Sequence, residues 1–456
     1  MHRDDEDPST TGVRAKSPDE TTRVPSARSI LGTSLGRFYP RSGSLESRNA
    51  AMTAWVHARV EQGLWPYALR AESYGPRARV KAAGGVSYAG INLTSVDYLG
   101  LARHPRLAAA GIAAIESHGV HTPSSAPLMG NGSVSTALES ELADFLGRPS
   151  AFLCPTGWAA AFTAVAGVVR KKDVVVMDEL SHQCLQQAAY ASSDHVHSFR
   201  HLDDEHLESV LATVRSQDAD VAVVVITEGL FSMDGDSPDF ASLVPLCRRY
   251  DARLLVDVAH DLGSVGPGGR GALETHGVLQ DVDIVAGSFS KCFGTNGGFV
   301  STKDEGVEWA QLCFGGPFTY STALGPVPLA VAREALDIVR GAEGAERRER
   351  LGRRIAFMRR EAAVRGLEVY GQPSPIVSVK IGASPLARLA GRNALERGLI
   401  ATYLEFPVVK QGQARFRLSL TPDHDEETLE QALDILVSAL ATAETELGGD
   451  VASAAS

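Results

Sequence analysis

The chain has 456 residues, 44% of them hydrophobic, enough to bury a sizeable core and to build one large domain with a smaller one beside it. A formal net charge of -11 argues against nucleic acid as the main partner, and the acidic residues 1–7 suit neither a secretory nor a transit leader. No uninterrupted apolar span implies a membrane crossing, and Cys154, Cys184, Cys247, Cys292 and Cys313, odd in number and without metal-ligand spacing, read as reduced, mostly core residues of a cytoplasmic protein that binds no metal.

Residues 1–48 are rich in Ser, Thr, Pro, Arg and Asp with few periodic apolar positions, and are expected to be disordered. Residues 49–95 are expected to form a helix and an arm. Over 96–341, strand-like runs at 174–177, 221–227, 254–258 and 284–286 alternate with amphipathic helices. That alternation predicts an α/β large domain with a mainly parallel sheet, covered on both faces, that places ligands at its strand ends. A charged helix over 342–365, its basic residues interleaved with acids as on a solvated face, opens a smaller C-terminal α/β domain over 342–447. Strands are expected there at 375–381, 399–404 and 414–420 and a last helix from about 425, with 448–456 frayed.

The residues that carry chemistry fall at the ends of these strands. Pro155-Thr156-Gly157-Trp158 precedes a run of small residues and reads as a turn opening a buried helix. Free amides at such a helix N-terminus, reinforced by its dipole, make Thr156, Gly157 and Trp158 a candidate phosphate cradle. After the strand at 174–177 comes Asp178-Glu-Leu-Ser-His182, whose imidazole could lie flat on a planar ligand, although alone it reads more readily as a satisfied surface histidine. Arg253-Leu-Leu-Val-Asp257-Val-Ala-His260 runs an apolar strand into a carboxylate and then an imidazole. Gly287-Ser288-Phe289-Ser290-Lys291 follows the next apolar run.

A strand-end lysine is by itself most often a solvated cap, and a strand-end aspartate often caps a helix. Together they suit one cofactor, pyridoxal phosphate (PLP). Lysine forms an imine with its aldehyde, a buried aspartate keeps its ring nitrogen protonated, and Ser288 and Ser290 supply hydroxyls for its phosphate.

These motifs, in order and at matching spacing from about residue 92 to 436, resemble the alpha-oxoamine synthase family of fold-type I PLP enzymes. The likeness also takes in Asp97-Tyr-Leu-Gly-Leu101, Phe199-Arg-His201-Leu-Asp203, Glu228-Gly-Leu-Phe-Ser-Met-Asp-Gly235, Phe318-Thr-Tyr-Ser-Thr322 and Ala414-Arg-Phe-Arg417. The resemblance implies that Lys291 holds the cofactor covalently, that Asp257 pairs with its ring nitrogen and that His182 stacks on the ring. His260 and Ser232 would lie near the ring hydroxyl, with Gly157, Trp158, Ser288 and Ser290 on the phosphate. Ser321 and Thr322 would reach that phosphate from the neighbouring subunit of a homodimer, and Arg417 would grip the carboxylate of an amino acid.

The implied reaction is a decarboxylative Claisen condensation of an amino acid with an acyl thioester, carried on coenzyme A or an acyl carrier protein, giving an α-amino ketone. Two alternatives stand beside it: another PLP reaction on the same fold, such as transamination or retro-aldol cleavage, and a non-catalytic partner subunit. The chain departs from the family pattern at Val96, Ala126, Ser135, Ala161 and Val258, where polar or charged residues are usual, so the implied substrate shell is altered.

Overall fold

The computed structural model describes residues 27–38, 44–65, 67 and 69–453. A central sheet is built from β4 (Phe152–Cys154), β5 (Val174–Asp178), β6 (His195–Phe199), β7 (Val223–Glu228), β8 (Arg253–Asp257), β9 (Ile284–Ser288) and β10 (Gly298–Thr302), in the order β4-β10-β9-β8-β7-β5-β6. The five strands β6, β5, β7, β8 and β9 run parallel, and β10 runs antiparallel to both β9 and β4.

Residues alternate across this sheet with the period of two that a pleated strand imposes. Val174, Val176, Val225 and Val256 join the core on one face, while Val175, Met177, Val224 and Leu255 join the core on the other. Both faces are dry, so β5, β7 and β9 are buried at every position, as parallel strands roofed by helices must be. The edge strand β6, His-Val-His-Ser-Phe, is polar and half exposed instead. One roof is made by the small-residue helix Gly157–Ala166 together with Gln183–Ser192.

Before this sheet stand β1 (Arg70–Ala71), β2 (Arg77–Lys81) and β3 (Ser87–Asn92), preceded by helix Leu45–Glu61. After it come helix Ala342–Val364, then β11 (Ile376–Gly382), β12 (Leu399–Ile400), β13 (Thr402–Leu404) and β14 (Ala414–Ser419). The strand expected over 399–404 is divided between two sheets: β12 pairs in parallel with β3, whereas β13 pairs with β14, which pairs with β11. The N-terminal arm is thereby joined to the C-terminal region. Gly90 permits the junction, because a Cβ there would stand 2.0 Å from the Gly398 carbonyl oxygen.

Two expected disordered ends differ where they are described. Within 1–48, residues Ala27–Gly32 form a helix with Ile30 in the core, and Arg388, itself buried, donates to the Leu31 carbonyl. An apolar pair and a buried guanidinium needing an acceptor outweigh the polar composition around them; residues 1–26 and 39–43 lie outside the described residues. At the other end, helix Glu426–Ser453 continues through 448–453, and 454–456 lie outside the described residues. No described helix is long and apolar enough to cross a membrane. Cys154, Cys184, Cys247 and Cys292 are buried, Cys313 is exposed, and all five are unpaired.

Candidate active site

The strand order reverses between β5 and β7, since β6 lies on one side of β5 and β7 on the other. Ligands of open α/β sheets sit beyond the carboxyl ends of strands at such a reversal. A cavity of about 180 Å³ opens there, lined by Thr156, Gly157, Trp158, His182, Asp257, His260, Ser288, Ser290 and Lys291, nine residues singled out from the sequence. It is also lined by Cys184, Glu228, Ala259, Asn296 and Gly297, which were not.

Each wall follows from local structure. Thr156 caps helix Gly157–Ala166, its side chain accepting from the Ala159 N–H at 3.0 Å, so the first amides of that helix, free of intrahelical acceptors, face the cavity. Gly157 passes so close to β9 that a Cβ would stand 2.5 Å from the Ser288 side chain. Ser288 Oγ lies 2.8 Å from Ser290 Oγ and accepts from the Ser290 N–H at 3.2 Å, which aims both hydroxyls at one place.

Asp257 and Glu228 are direct neighbours across the parallel pair β8 and β7. Burial raises the pKa of Asp257, opposed by the positive charge of Lys291. Glu228 is pushed well above the usual carboxylate range, first by burial and then by the negative charge of Asp257. Of the two carboxyls Glu228 is pushed further from its ordinary value, and the Lys291 charge favours the ionised form of Asp257. Glu228 Oε1 also accepts from the His182 N–H at 2.5 Å, bridging the strand reversal. Its strand-end position in register with Asp257 is the sequence signal that marks it.

His182 caps helix Gln183–Ser192, and its Nδ1 accepts from the Cys184 N–H at 3.3 Å. Nδ1 also stands 2.8 Å from Cys184 Sγ, whose thiol is kept protonated by burial; with that thiol and the amide both donating to Nδ1, the ring proton resides on Nε2. Burial lowers the His182 pKa and the Lys291 charge lowers it further, against the pull of Asp257. His260 is lowered well below its ordinary value by burial and by Lys291, Arg417 and His182. Both imidazoles are neutral at neutral pH.

Four expected site residues lie off this wall. Arg417, on β14, donates to the Ser232 carbonyl at 3.5 Å, and its charge acts on His260 and Tyr98. Its Nε is buried with no protein partner among the described residues. Ser232 is buried and meets Arg417 through its carbonyl. Ser321 donates to the Pro317 carbonyl and Thr322 is exposed, both outside the cavity of their own chain.

The chain matches the family "Aminotransferase class I and II" over residues 89–436. It is 35% identical over 388 residues to 8-amino-7-oxononanoate synthase of Geobacter sulfurreducens, covering 85% of this chain and 96% of that one. Against the Klebsiella pneumoniae enzyme of the same name it is 36% identical over 346 residues, 76% and 88% of the two chains. The solved serine palmitoyltransferase of Sphingomonas wittichii superposes with a TM-score of 0.82 at 27% identity, covering 88% of this chain and all of that one. The chain belongs to the alpha-oxoamine synthase family. It has the fold-type I architecture of PLP-dependent transferases, and its reaction is the PLP-dependent decarboxylative condensation of an amino acid with an acyl thioester.

The cavity fits that cofactor on its own terms. The helix N-terminus with Ser288 and Ser290 suits a phosphate, the buried Asp257 has only the Ala259 N–H (2.9 Å) as a hydrogen-bond partner among the described residues, and Lys291 offers the amine.

Proposed function

We propose that this family member condenses an amino acid with an acyl thioester at the Lys291 cavity, with an α-amino ketone as product. The observation that carries the reading is the convergence of Lys291, Asp257, His182 and His260 with a helix N-terminus and two serine hydroxyls around one cavity of about 180 Å³. When bound, PLP supplies an aldehyde that captures an amine and a ring that accepts the electron pair left at the substrate Cα.

The chain's own groups do the rest. Asp257, its charge favoured by Lys291, would hold a proton at the ring nitrogen, and His260 would face the ring oxygen. Arg417 takes the amino-acid carboxylate with its fork of donors, which fixes which Cα bond stands across the ring. Lys291, with its amine free, would serve as the base for the Cα proton. His182, with its proton on Nε2, covers the ring and is placed to donate to the thioester carbonyl oxygen. A bond would form between Cα and that carbonyl carbon as the carbon–sulfur bond breaks and the thiol leaves; the carboxyl group would then depart as CO2, and a proton would return to Cα. Thr156, Gly157, Trp158, Ser288 and Ser290 hold the phosphate, and Ser232 fixes Arg417 through its carbonyl.

Assembly as a homodimer completes the site in this reading. The segment Ala126–Gly130 packs beside Pro317–Tyr320, and together they expose Leu128 (78%), Met129 (86%) and Tyr320 (85%) next to Thr322. A second copy covering these side chains would bring its Ser321 and Thr322 to the phosphate. Mixed dimers of Lys291→Ala and Thr322→Ala chains should regain one intact site in two, and a fully active monomer in light scattering overturns the arrangement. The reading places the enzyme in the cytoplasm, where its unpaired cysteines stay reduced.

Mass spectrometry of products from a panel of amino acids, each offered with acyl-coenzyme A and acyl carrier protein thioesters, tests the reaction and chooses the donor. 8-Amino-7-oxononanoate is the first product to seek, given the names of the relatives. Keto acids in place of amino ketones would favour transamination and sink the condensation.

A further inference from the structure

Tyr98 lies outside the cavity wall, in the turn between β3 and helix Pro105–His118, and is completely buried. Its hydroxyl stands 2.8 Å from His260 Nδ1, with the rings 6.0 Å apart at 50°. Among the described residues this hydroxyl has no other hydrogen-bond partner.

The direction of that hydrogen bond follows from proton counting. Burial raises the Tyr98 pKa far above its ordinary value, so the hydroxyl keeps its proton, and His260 is neutral with one ring N–H. If Nδ1 carried the hydrogen, it would donate to the tyrosine oxygen and leave the buried phenolic proton with no acceptor. If Tyr98 donates, both groups are satisfied and the imidazole hydrogen moves to Nε2. Nε2 is then the only ring nitrogen of His260 left for a ligand, and it is a donor.

We propose that Tyr98 is a positioning residue: by donating to Nδ1 it holds His260 as the Nε2–H tautomer, which donates to a ligand oxygen bearing negative charge, the ring oxygen of PLP. The inference rests on the reading above that His260 faces this oxygen. It assigns a reason for a tyrosine at a buried position outside the cavity wall. His182 has the same tautomer by a different device, a helix cap, so both neutral imidazoles present N–H donors to one cavity.

The test is a double-mutant cycle of Tyr98→Phe and His260→Ala, read by PLP affinity of the cofactor-free protein and by the visible spectrum of the PLP-loaded protein. A ring oxygen that keeps its negative charge absorbs at longer wavelength than its protonated form. Tyr98→Phe should weaken PLP binding about threefold to tenfold, the worth of one hydrogen bond, and move intensity to the shorter-wavelength band. In the His260→Ala background the same substitution should change neither by more than about twofold. Equal loss of affinity in both backgrounds, or a spectrum that Tyr98→Phe leaves unchanged, overturns the proposal. Should Tyr98→Phe fail to fold, 3-fluorotyrosine at position 98, a stronger donor of the same shape, should move intensity the other way, and no movement overturns it. Failure of the cofactor reading itself would show separately, as a wild-type protein whose visible band does not depend on Lys291.

Discussion

Two groupings of carboxylates and imidazoles sit at the ends of neighbouring strands and behave in opposite ways. At the end of β5, the Asp178 carboxylate meets His201 Nδ1 at 2.9 Å and the N–H groups of Leu180 and Leu202 at 2.8 and 3.1 Å. His201 Nε2 meets Asp236 at 3.2 Å. With a carboxylate at each nitrogen the imidazole is pushed up to about 10, despite burial that works against it. Four residues along the chain, His182 is lowered instead, and the neighbouring carboxyls Asp257 and Glu228 are raised. Carboxyls and an imidazole occur in both places, and Lys291 joins only the second. What differs is the supply of partners: the first grouping closes its charges on itself, whereas the second leaves them under-partnered in a dry cavity, where a ligand completes them.

Removing a group from the open cavity should cost function and little stability, and removing one from the closed cluster should do the reverse. Lys291→Ala should abolish turnover and the visible absorbance of the loaded enzyme while leaving the melting temperature close to wild type. Retention of a reducible adduct in that variant would break the assignment. Asp257→Asn keeps the shape and deletes the charge, so turnover should fall on the order of a hundredfold or more, as when a fixed electrostatic partner is removed from an active site. A drop below tenfold would move the ring-nitrogen role elsewhere.

The two arginines of β14 sharpen the contrast within one strand. Arg415 is buried, ion-paired to Asp234 and stacked 4.0 Å from the Tyr370 ring centroid, whereas Arg417 keeps its Nε free. Arg417→Ala should weaken amino-acid binding about tenfold to a hundredfold, the loss of a charged hydrogen bond. Arg415→Ala strands Asp234 and should instead cost about 3–5 kcal/mol of stability. Titrating amino acid into both variants, with thermal melts alongside, decides it; a larger binding loss for Arg415→Ala would exchange their roles.

The smallest effect concerns pH. His201 has a folded pKa of about 10 against an ordinary 6.5, so its stabilisation is fully present below about pH 6.5 and is lost as pH rises towards 10. His201→Gln should lower stability by roughly 1.5–3 kcal/mol at pH 6 and by much less at pH 10. Denaturant melts of both proteins at the two values read the difference, and parallel losses at both would refute the linkage.

Much of this was legible in one chain. Apolar runs of three to six residues, each running into a small or polar residue, marked β5, β7, β8 and β9, because a strand dry on both faces has to be largely apolar. Lysine, aspartate, histidine and the Thr156-Gly157-Trp158 turn were recognisable because they occur together at strand ends, although each alone has a commoner structural use. Asp178 and His182, read together as one motif, proved to belong to different groupings.

The residues themselves determined the parallel sheet, the nine cavity residues found from sequence and the cofactor they suit, all set by local pattern and side-chain chemistry. Tertiary structure alone decided which charges are spent: that Arg415 closes on Asp234 and Arg417 does not, that Glu228 stands beside Asp257 and is raised by its charge, and that Tyr98 meets an imidazole 162 residues away. It also decided that residues 399–404 serve two sheets and that residues 27–32 are helical. Partnership between distant residues depends on the path of the backbone between them, and the energy of a buried charge depends on its partners more than on its identity.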